Sequence, residues 1–210
     1  MQKNNSGIFF NGKLSECEKA YILGLVITDG CIRRASKNSK SICISSKDKY
    51  MVEMIKEFAC PNRKLYQDGD NWQVVWTNEN DVKYLANLDI AERKTYTVRL
   101  PDIKCMSHLI RGIFDGDGCV YKSITHDNKY GRLYEYTYVS ITSASIEFLE
   151  DVKRYLEGVD IQSRINRDKR HFCTYNLLIT RMSSVEKFFN HIYEGCGKWK
   201  LERKFEKFHT

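Results

Sequence analysis

The sequence predicts an α+β fold made of two pseudo-symmetric αββαββα repeats, one in residues 1–98 and one in residues 99–210. Two apolar runs, at residues 22–30 and 110–118, follow one template with a central glycine and a final Asp-Gly. Further matching segments recur at a separation that grows steadily along the chain, as insertions in loops would produce. Helical and alternating apolar patterns also follow one another in the same order in both halves. These observations together predict a tandem duplication.

The two apolar runs match without a gap. Gly24 and Gly112 are 88 residues apart, and so are Asp29 and Asp117. A duplication that keeps an acid at the end of each copy predicts one active site built from two halves.

The duplication extends well beyond these runs. The separation between matched positions rises from 88 through 97, 100 and 103 to 110 residues. The pairs that follow the motifs are Ile44 with Ile141, Asp68 with Asp168, Thr77 with Thr180, Val82 with Val185, and residues 92–94 with residues 202–204. Unrelated matches would scatter instead of rising in order.

Periodicity and turn residues predict the elements of the first copy. In order, they are a helix over 18–28, strands over 31–37 and 40–46 with a turn at 37–39, a helix from an Asp48 N-cap to Phe58, a hairpin with its turn at 68–71 and its second strand over 72–77, and a helix over 79–88. Ser145 holds the equivalent cap position in the second copy. The second copy is therefore expected to repeat the same order.

Small residues line one side of each predicted motif helix. With helices over 18–28 and 106–116, Gly24 lies on one face of the first, and Gly112 and Gly116 lie on one face of the second. Small residues there let two helices approach closely. Such a crossing would place the two terminal acids side by side, where mutual repulsion favours a divalent cation as their partner. The alternative is that Asp-Gly only ends each helix with a turn.

The motifs resemble those of two-repeat, monomeric LAGLIDADG homing endonucleases. The likeness spans about residues 16–206, and residues 93–101 leading into 109–118 resemble a segment common in that family. The resemblance implies that the LAGLIDADG helices form the interface between the halves. It also implies that curved antiparallel sheets form a saddle over double-stranded DNA, and that the protein is a monomer using Mg²⁺ or Mn²⁺.

Catalytic residues follow from the resemblance by position. Asp29 and Asp117 become the catalytic acids and metal ligands, with Gly30 and Gly118 beside them in the metal site. Metals clamped by two carboxylates can orient a water, neutralise the phosphate and assist the leaving oxygen. Asp115 occupies the motif's earlier acid position, where the first copy has Ile27. We expect Asp115 to be a contact residue instead of a ligand.

Lys47 is a candidate for a supporting catalytic cation at the end of the second strand. Its counterpart is Ala144, so the second half-site lacks this lysine unless Lys94, Lys204 or Lys122 substitutes. The alternative is a solvated lysine before a helix cap. Unequal half-sites would mean unequal cutting rates for the two strands, or nicking.

DNA reading is assigned to strand faces turned away from the helices. Ile44 and Ile141 point to the core, so neighbours in the alternation point outward. The residues expected to contact bases or phosphates are Arg33, Ser41, Cys43, Ser45, Lys64, Tyr66, Gln73, Lys94, Tyr136, Tyr138, Ser140, Arg164, Arg167, Arg170, Asn176 and Lys204. The segment over 121–132 is longer than its first-copy equivalent, which predicts a longer contact along the DNA.

Net charge, cysteine pattern and hydropathy indicate a class of partner and a compartment. The net charge of +7 favours a polyanionic partner. The 8 cysteines form no Cys-x-x-Cys and none has a histidine at zinc-finger spacing, so reduced and mostly buried thiols are expected. Cys31 and Cys119, each following the Asp-Gly, are attributed to the duplication. No apolar run is long enough to span a membrane, and no targeting signal is seen, so a cytoplasmic, organellar or phage-infected cell interior is expected.

Two functions remain open from the sequence. The first is a site-specific DNA endonuclease that hydrolyses phosphodiester bonds in both strands of a long recognition site. The second is a non-cleaving relative, such as an RNA maturase or a transcriptional regulator, which retention of both Asp29 and Asp117 disfavours. An intein is also disfavoured, because no asparagine follows His209.

Overall fold

The computed structural model describes residues 7–127, 129–168 and 173–209, and it confirms the predicted order of elements. The first half contains α1 (Glu16–Thr28), β1 (Gly30–Ser36), β2 (Ser39–Ser46), α2 (Lys49–Ala59), β3 (Tyr66–Asp68), β4 (Asn71–Trp76) and α3 (Glu79–Asn87). The second half contains α4 (Met106–Asp117), β5 (Gly118–Asp127), β6 (Arg132–Ser143), α5 (Ile146–Gly158), β7 (Arg164–Arg167), β8 (Tyr175–Ile179) and α6 (Met182–Tyr193), and a short α7 (Glu202–Glu206) follows it.

Each half has one antiparallel four-stranded sheet. The strand orders, β1-β2-β4-β3 and β5-β6-β8-β7, are the same in the two halves. Ile44 and Ile141 are fully buried, and helices cover the face of the sheet to which each of them points. One face of each sheet is therefore core and the other is left without helices, as the alternation in the sequence predicted.

Local sequence signals set the start of α1. Ser15 Oγ accepts a hydrogen bond from the Glu18 backbone N–H at 3.2 Å, and the Glu18 carboxylate accepts one from the Ser15 backbone N–H at 2.7 Å. This reciprocal capping box satisfies two helix N–H groups that otherwise lack partners. It starts the helix two residues before the predicted position.

The two predicted caps of α2 and α5 behave differently. Ser145 accepts a hydrogen bond from the Phe148 backbone N–H at 3.2 Å, as expected of an N-cap. Asp48 holds the equivalent position before α2, but its side chain makes no capping hydrogen bond. Its carboxylate instead binds the Arg203 guanidinium, with the Arg203 Nη2 to Asp48 Oδ2 distance at 2.9 Å. Asp48 therefore occupies the predicted N-cap position but does not cap the helix through its side chain, because a distant cation binds the carboxylate.

The β5–β6 hairpin is longer than its counterpart. Strand β5 has ten residues where β1 has seven. Tyr121 and Tyr138 stack on one face of the hairpin with ring centroids 4.9 Å apart. On the other face Ile124 and Leu133 are each 70% exposed. The hairpin therefore projects beyond the part of the sheet that the helices cover.

Segments that follow α3 and α6 pack against the opposite half. The Val98 carbonyl, in the segment after α3, accepts a hydrogen bond from Ser145 Oγ at the start of α5, at 2.9 Å. Trp199 Nε1 donates to the carboxylate of Glu18 in α1 at 2.6 Å. The two halves thus exchange contacts reciprocally, in addition to packing through α1 and α4.

A disulfide bond joins Cys17 in the first turn of α1 to Cys105 at the N-cap of α4. The expectation of reduced thiols is therefore wrong for this pair, and the free Cys31 and Cys173 are exposed instead of buried. The two bonded residues are 88 apart, the same separation as the motif glycines, and the contact between helices brings them together. No helix in the described part of the chain is long and apolar enough to cross a membrane.

Candidate active site at the contact of the two central helices

Helices α1 and α4 touch backbone to backbone. A Cβ atom placed on Gly24 would lie 2.5 Å from the Leu109 carbonyl oxygen and 2.8 Å from Gly112 Cα, and one on Gly112 would strike the Tyr21 carbonyl. Gly116 lies against the side chain of Thr28. The three small residues predicted at the helix interface thus lie where any side chain would separate the helices. Their absence of side chains lets the C-terminal ends of α1 and α4 come together.

The two motif acids lie at these C-terminal ends. Asp29 is the residue that ends α1, and Asp117 is the last residue of α4. Burial, the larger cause, and the negative charge of Asp117 together raise the pKa of Asp29 to about 6. Burial also raises the pKa of Asp117, because surrounding groups desolvate its carboxyl although part of the side chain reaches solvent. The negative ends of two helices and two mutually repelling carboxylates therefore converge in one place.

Two buried lysines lie over the same helix ends. Lys94 Nζ donates a hydrogen bond to the Gly30 carbonyl, and Lys204 Nζ donates to the carbonyls of Phe114 at 2.8 Å and Asp115 at 2.7 Å. Neither α1 nor α4 has a basic residue in its own last turn. Lys204 therefore supplies a donor to the terminal carbonyls of α4, and Lys94 binds the carbonyl of Gly30, the residue after the C-cap of α1.

Lys94 and Lys204 were predicted to contact DNA phosphates at the surface, and that placement is wrong. Lys94 is 9% exposed and Lys204 is 6% exposed. Burial lowers the pKa of Lys94 and lowers that of Lys204 to about 8, while the charges of Asp29 and Asp117 act in the opposite direction on both. The two ammonium groups therefore belong electrostatically to the acid pair instead of to the protein surface.

Asp115 is a structural residue, as the sequence suggested. It is 1% exposed, and its carboxylate accepts hydrogen bonds from Tyr21 Oη at 2.8 Å, Leu201 N at 2.9 Å and Tyr193 Oη at 3.4 Å. Burial raises the pKa of Asp115 to about 6, although these donors favour the charged form. Its oxygens hold the C-terminal segment onto α1 and α4, so they are not directed at the site formed by Asp29 and Asp117.

The surroundings of the two acids differ between the halves. Lys47 is solvent-exposed, with its Nζ 3.7 Å from the Asp70 carboxylate, and it precedes the Asp48–Arg203 ion pair. At the corresponding place in the second half, a cavity of about 100 Å³ lies beside Ala144. Its lining includes Asp117, Lys94, Thr28, Thr95 and Ser143. The structure thus puts Lys94 at the place where the sequence left open a substitute for Lys47.

The other two candidate substitutes have different positions. Lys204 lies on the side where Asp29 and Arg203 are also found. Lys122 pairs in register with Thr137 and reaches the Glu135 carboxylate at 3.9 Å, on the hairpin face opposite Tyr121. Lys122 therefore lies on the same side of β5 as the buried Val120, and it is not among the charges that shift the pKa of Asp29 or Asp117.

Gly30 and Gly118 begin β1 and β5, directly after the two acids. The Gly30 carbonyl accepts a hydrogen bond from Lys94. A side chain on either glycine would collide with the preceding helix, at Val26 for Gly30 and at Phe114 for Gly118. Their structural role is thus to let the chain turn sharply from helix to strand.

The helix-free face of the first sheet carries some of the predicted DNA contacts. Register places Arg33, Ser45, Tyr66 and Gln73 on this face, and a cavity of about 320 Å³ lies among Arg33, Tyr66 and Gln73. Ser41 and Cys43 lie on the same face but are 4% and 5% exposed. As exposed contact residues these two were predicted wrongly, because larger neighbours on adjacent strands cover such short side chains.

Lys64, also predicted to contact DNA, does not lie on the helix-free face of the first sheet. It lines an open groove of about 590 Å³ together with residues of α2 and Trp72. Trp72 pairs with Ser46, whereas the neighbouring Gln73 pairs with Ser45 on the helix-free face. Lys64 is thus on the helix side of the sheet, contrary to the expectation.

The second sheet has a similar face. Tyr136, Tyr138, Asn176 and Arg164 share it by register, and Asn166, which the sequence did not single out, lies there too. Three other predictions concern Ser140, Arg167 and Arg170. Ser140 is buried between Cys119 and Leu178. Arg167 lies on the same face of β7 as Ile165, which is the face toward the core. Arg170 lies outside the described residues. The expectations of surface contact for Ser140 and of this face for Arg167 are therefore wrong.

The donor set at the acids suits a magnesium-type cation. In the described residues no group of three or more His, Cys, Asp or Glu side chains is arranged to hold a metal ion. Mg²⁺ is commonly held by one or two carboxylates, with water and substrate phosphates completing its shell. Asp29 and Asp117 fit that pattern, because burial raises the pKa of both carboxyls and the charge of Asp117 raises that of Asp29 further, an effect that a cation would relieve.

A protein-family model and one curated relative match this chain. The model, described as a LAGLIDADG-like domain, matches residues 16–59 and 104–193. Elongation factor 2 of Methanopyrus kandleri is 26% identical over 175 residues, which are 80% of this chain. The chain spans only 12% of that relative's length.

Solved structures share the fold. A structure of I-SmaMI bound to an uncleaved DNA target in the presence of calcium ions superposes with a TM-score of 0.64 at 13% identity, covering 90% of this chain and 87% of the other. For I-LtrWI, a LAGLIDADG homing endonuclease bound to target DNA, the TM-score is 0.62 at 16% identity, with 92% and 88% covered. For variants of the homing endonuclease I-DmoI, the TM-score is 0.60 at 20% identity, and the match covers 91% of this chain and 98% of the other.

Proposed function

Since the chain belongs to the LAGLIDADG-like domain family, we propose that it is a site-specific endonuclease that hydrolyses phosphodiester bonds in both strands of double-stranded DNA. The convergence of Asp29 and Asp117 at the ends of two touching helices carries this proposal. A protein that used the fold only for binding would have no need for two desolvated carboxylates so close that the charge of Asp117 raises the pKa of Asp29.

Asp29 and Asp117 would hold the divalent cations, Mg²⁺ or Mn²⁺. When bound there, such cations supply charge neutralisation at the phosphate and an activated water. The chain's own contribution is the position of the two carboxylates, which the helix contact fixes from both sides. Because the acids lie at negative helix ends, the protein offers a cation more negative potential than the two carboxylates alone would.

Lys94 and Lys204 would provide the fixed positive charge of the site. Lys204 Nζ is held by carbonyls at the end of α4 and Lys94 Nζ by the carbonyl of Gly30 after α1, and both lysines interact electrostatically with both acids. A lysine so placed can stabilise negative charge that develops on a phosphate in the transition state. Lys47 would add a third, exposed cation on one side only.

The two repeats, divided near residues 98 and 99, would each serve one DNA strand. Their helix-free sheet faces carry Arg33, Gln73, Tyr136 and Asn176, side chains that can hydrogen-bond base edges or phosphates. With a net charge of +7 on a chain that would act as a monomer, DNA affinity should fall steeply as salt rises. The protein would act in whichever cell or organelle interior contains its target DNA.

The test is selection of cleaved molecules from a random DNA pool. The purified protein is incubated with the pool and Mg²⁺, and the cut ends are sequenced. We expect one long site to be enriched and both strands to be cut. Binding of a specific site without any cutting would instead support a non-cleaving DNA-binding protein.

Substitution of the acids ties the activity to the proposed site. Asp29→Asn and Asp117→Asn should each abolish double-strand cleavage while leaving binding of the selected site largely intact, because the amide keeps the shape and loses the charge that holds the cation. Glu92→Gln, at an exposed residue paired with Lys40, is the matched control and should cleave normally. Full cutting by either aspartate variant would exclude the shared site.

A further inference from the structure

Two free cysteines face each other across neighbouring strands of the first sheet. Cys31 in β1 is the direct register partner of Cys43 in β2, so both side chains leave the sheet on the same face. Directly opposed residues in an antiparallel pair have Cα atoms about 4.5–5.5 Å apart, and disulfide-bonded cysteines have Cα atoms about 4.4–6.8 Å apart. The backbone therefore already has a spacing that a disulfide bond accepts.

The two thiols differ in exposure and lie in contact. Cys31 is exposed, whereas Cys43 is 5% exposed. Burial raises the pKa of Cys43 to about 11, and the charge of Cys31 and its hydrogen bond with Cys43 act in the same direction. An oxidant in solution would thus reach Cys31, and Cys43 would be the neighbouring sulfur that is shielded from it.

The second half of the protein provides an internal comparison. Cys119 occupies the place of Cys31, but its register partner in β6 is Ser140. The duplication therefore accounts for one cysteine at this position in each half, and it does not account for Cys43. The facing pair is a property of the first sheet alone.

We propose that Cys31 and Cys43 form a redox-active dithiol, a modification site whose substrate is a peroxide. Cys31 sulfur attacks one peroxide oxygen, the O–O bond breaks, and the products are Cys31 sulfenic acid and one water or alcohol. Cys43 sulfur then displaces the sulfenic oxygen, which leaves as water. The two sulfurs are oxidised by two electrons in total, the peroxide is reduced by two, and the two thiol protons end in the products.

The test follows the cross-link chemically and needs neither DNA nor metal, so its outcome does not depend on the proposed endonuclease activity. Metal-free full-length protein with reduced Cys31 and Cys43 is treated with hydrogen peroxide, and the remaining thiols are then blocked by alkylation. Trypsin cleaves after Lys and Arg, so Cys31 lies in the peptide 20–33 and Cys43 in the peptide 41–47. We expect these peptides to be found joined, two hydrogens lighter than their sum, and to separate after treatment with dithiothreitol.

Three variants make the assignment specific. Cys31→Ser and Cys43→Ser should each remove the joined peptide, and Cys31→Ser, at an exposed position, keeps the test valid if Cys43→Ser fails to fold. Cys119→Ser is the matched control, and its joined peptide should still form. The Cys17–Cys105 bond joins peptides 14–19 and 105–111, which makes it a separate internal standard. The proposal is overturned if peptides 20–33 and 41–47 stay separate while the exposed Cys173 becomes oxidised.

Discussion

Lys204, near the C-terminus, donates a hydrogen bond from Nζ to the backbone carbonyl of Asp115 at the end of α4, at a distance of 2.7 Å. The same ammonium also reaches the carbonyls of Phe114 and Gly116. One buried cation thus completes a helix terminus and lies close enough to interact with both acids of the proposed active site.

Lys204→Met should lower both stability and activity. The apolar side chain keeps most of the volume but removes the Nζ donor from the carbonyls of Phe114, Asp115 and Gly116, of which Phe114 still accepts from the Gly118 backbone N–H; we expect a cost of about 1–3 kcal/mol. Cleavage should fall at least about tenfold with loss of the positive charge. Thermal denaturation and single-turnover cleavage measure the two effects. Lys207→Met, at an exposed lysine three residues on, is the control, and an equal effect of both substitutions would contradict the role given to Lys204.

Asp29→Asn should stabilise the metal-free protein at neutral pH. The pKa of Asp29 is raised from an ordinary value of 3.8 to about 6, so the folded state binds this proton more tightly than the unfolded state. Ionisation of Asp29 therefore costs stability as pH rises from about 4 to 6, and the cost persists above that range. We expect the variant to gain about 1–2 kcal/mol at pH 8, or a few degrees in Tm, and to gain little at pH 4. A gain of equal size at both pH values would show that charge is not its cause.

Lys47→Ala should affect one DNA strand more than the other. Lys47 has no counterpart lysine in the second half, where Ala144 borders a small cavity. We expect cutting of one strand to slow by about tenfold, with nicked DNA accumulating, because one supporting cation is lost on one side only. Strand-specific labelling of the selected site measures both rates. Lys49→Ala removes another exposed lysine, from the adjacent helix, and should leave the rates equal to those of the parent. Equal slowing of both strands by Lys47→Ala would contradict the asymmetry.

Tyr136→Ala in the long hairpin should weaken DNA binding on one half-site. Strand β5 extends three residues beyond the length of β1, about 10 Å or roughly three base pairs along the duplex. Tyr136 is 49% exposed on the face continuous with Tyr138. We expect about a tenfold loss of affinity, with footprint protection shortened only at the outer edge of the second half-site.

Ile124→Ala is the matched control for the hairpin, because Ile124 projects from the opposite face of the same strands. Its affinity should stay within about twofold of the parent protein. A similar loss for both variants would mean that the hairpin acts through its stability and not through contact with DNA.

Gly24→Ala should be severely destabilising. The added Cβ would lie 2.5 Å from the Leu109 carbonyl oxygen, so α1 and α4 would have to separate. We expect a loss of more than about 3 kcal/mol, comparable with overpacking of a tight core contact. Gly158→Ala, at the end of α5 with no heavy atom within 4 Å of its Cβ, should be neutral or slightly stabilising. Urea denaturation of both variants measures the difference, and a mild effect at Gly24 would contradict the close helix contact.

Local patterns in the sequence were sufficient for the elements and for the acid pair. The strands differ from prediction by about one residue, and α1 begins two residues earlier than predicted, where Ser15 and Glu18 form a capping box that the prediction did not include. The 88-residue repeat also placed Asp29 and Asp117 at equivalent helix ends. These features depend on interactions among neighbouring residues or on the duplication itself, both of which can be read along the chain.

Side-chain roles that depend on distant partners were predicted less well. Lys94 and Lys204 were expected at the surface, and Asp48 was expected to cap α2, yet each binds a group at least 60 residues away in sequence. Ser41 and Ser140 alternate outward as predicted but are covered by neighbouring strands. The Cys17–Cys105 bond did carry a signal, because its separation of 88 equals that of the motif glycines.

The sequence by itself determined the duplication, the order of elements, the glycine contact between helices and the two acids that end them, because each of these is encoded in spacing and local chemistry. Only the tertiary structure decided which cations surround those acids and which strand residues stay accessible. The reason is physical: burial and long-range hydrogen bonds depend on which segments the fold brings together. At this site the segment that follows α3 carries Lys94 to the Gly30 carbonyl just after α1, and the segment that follows α6 carries Lys204 to the carbonyls at the end of α4.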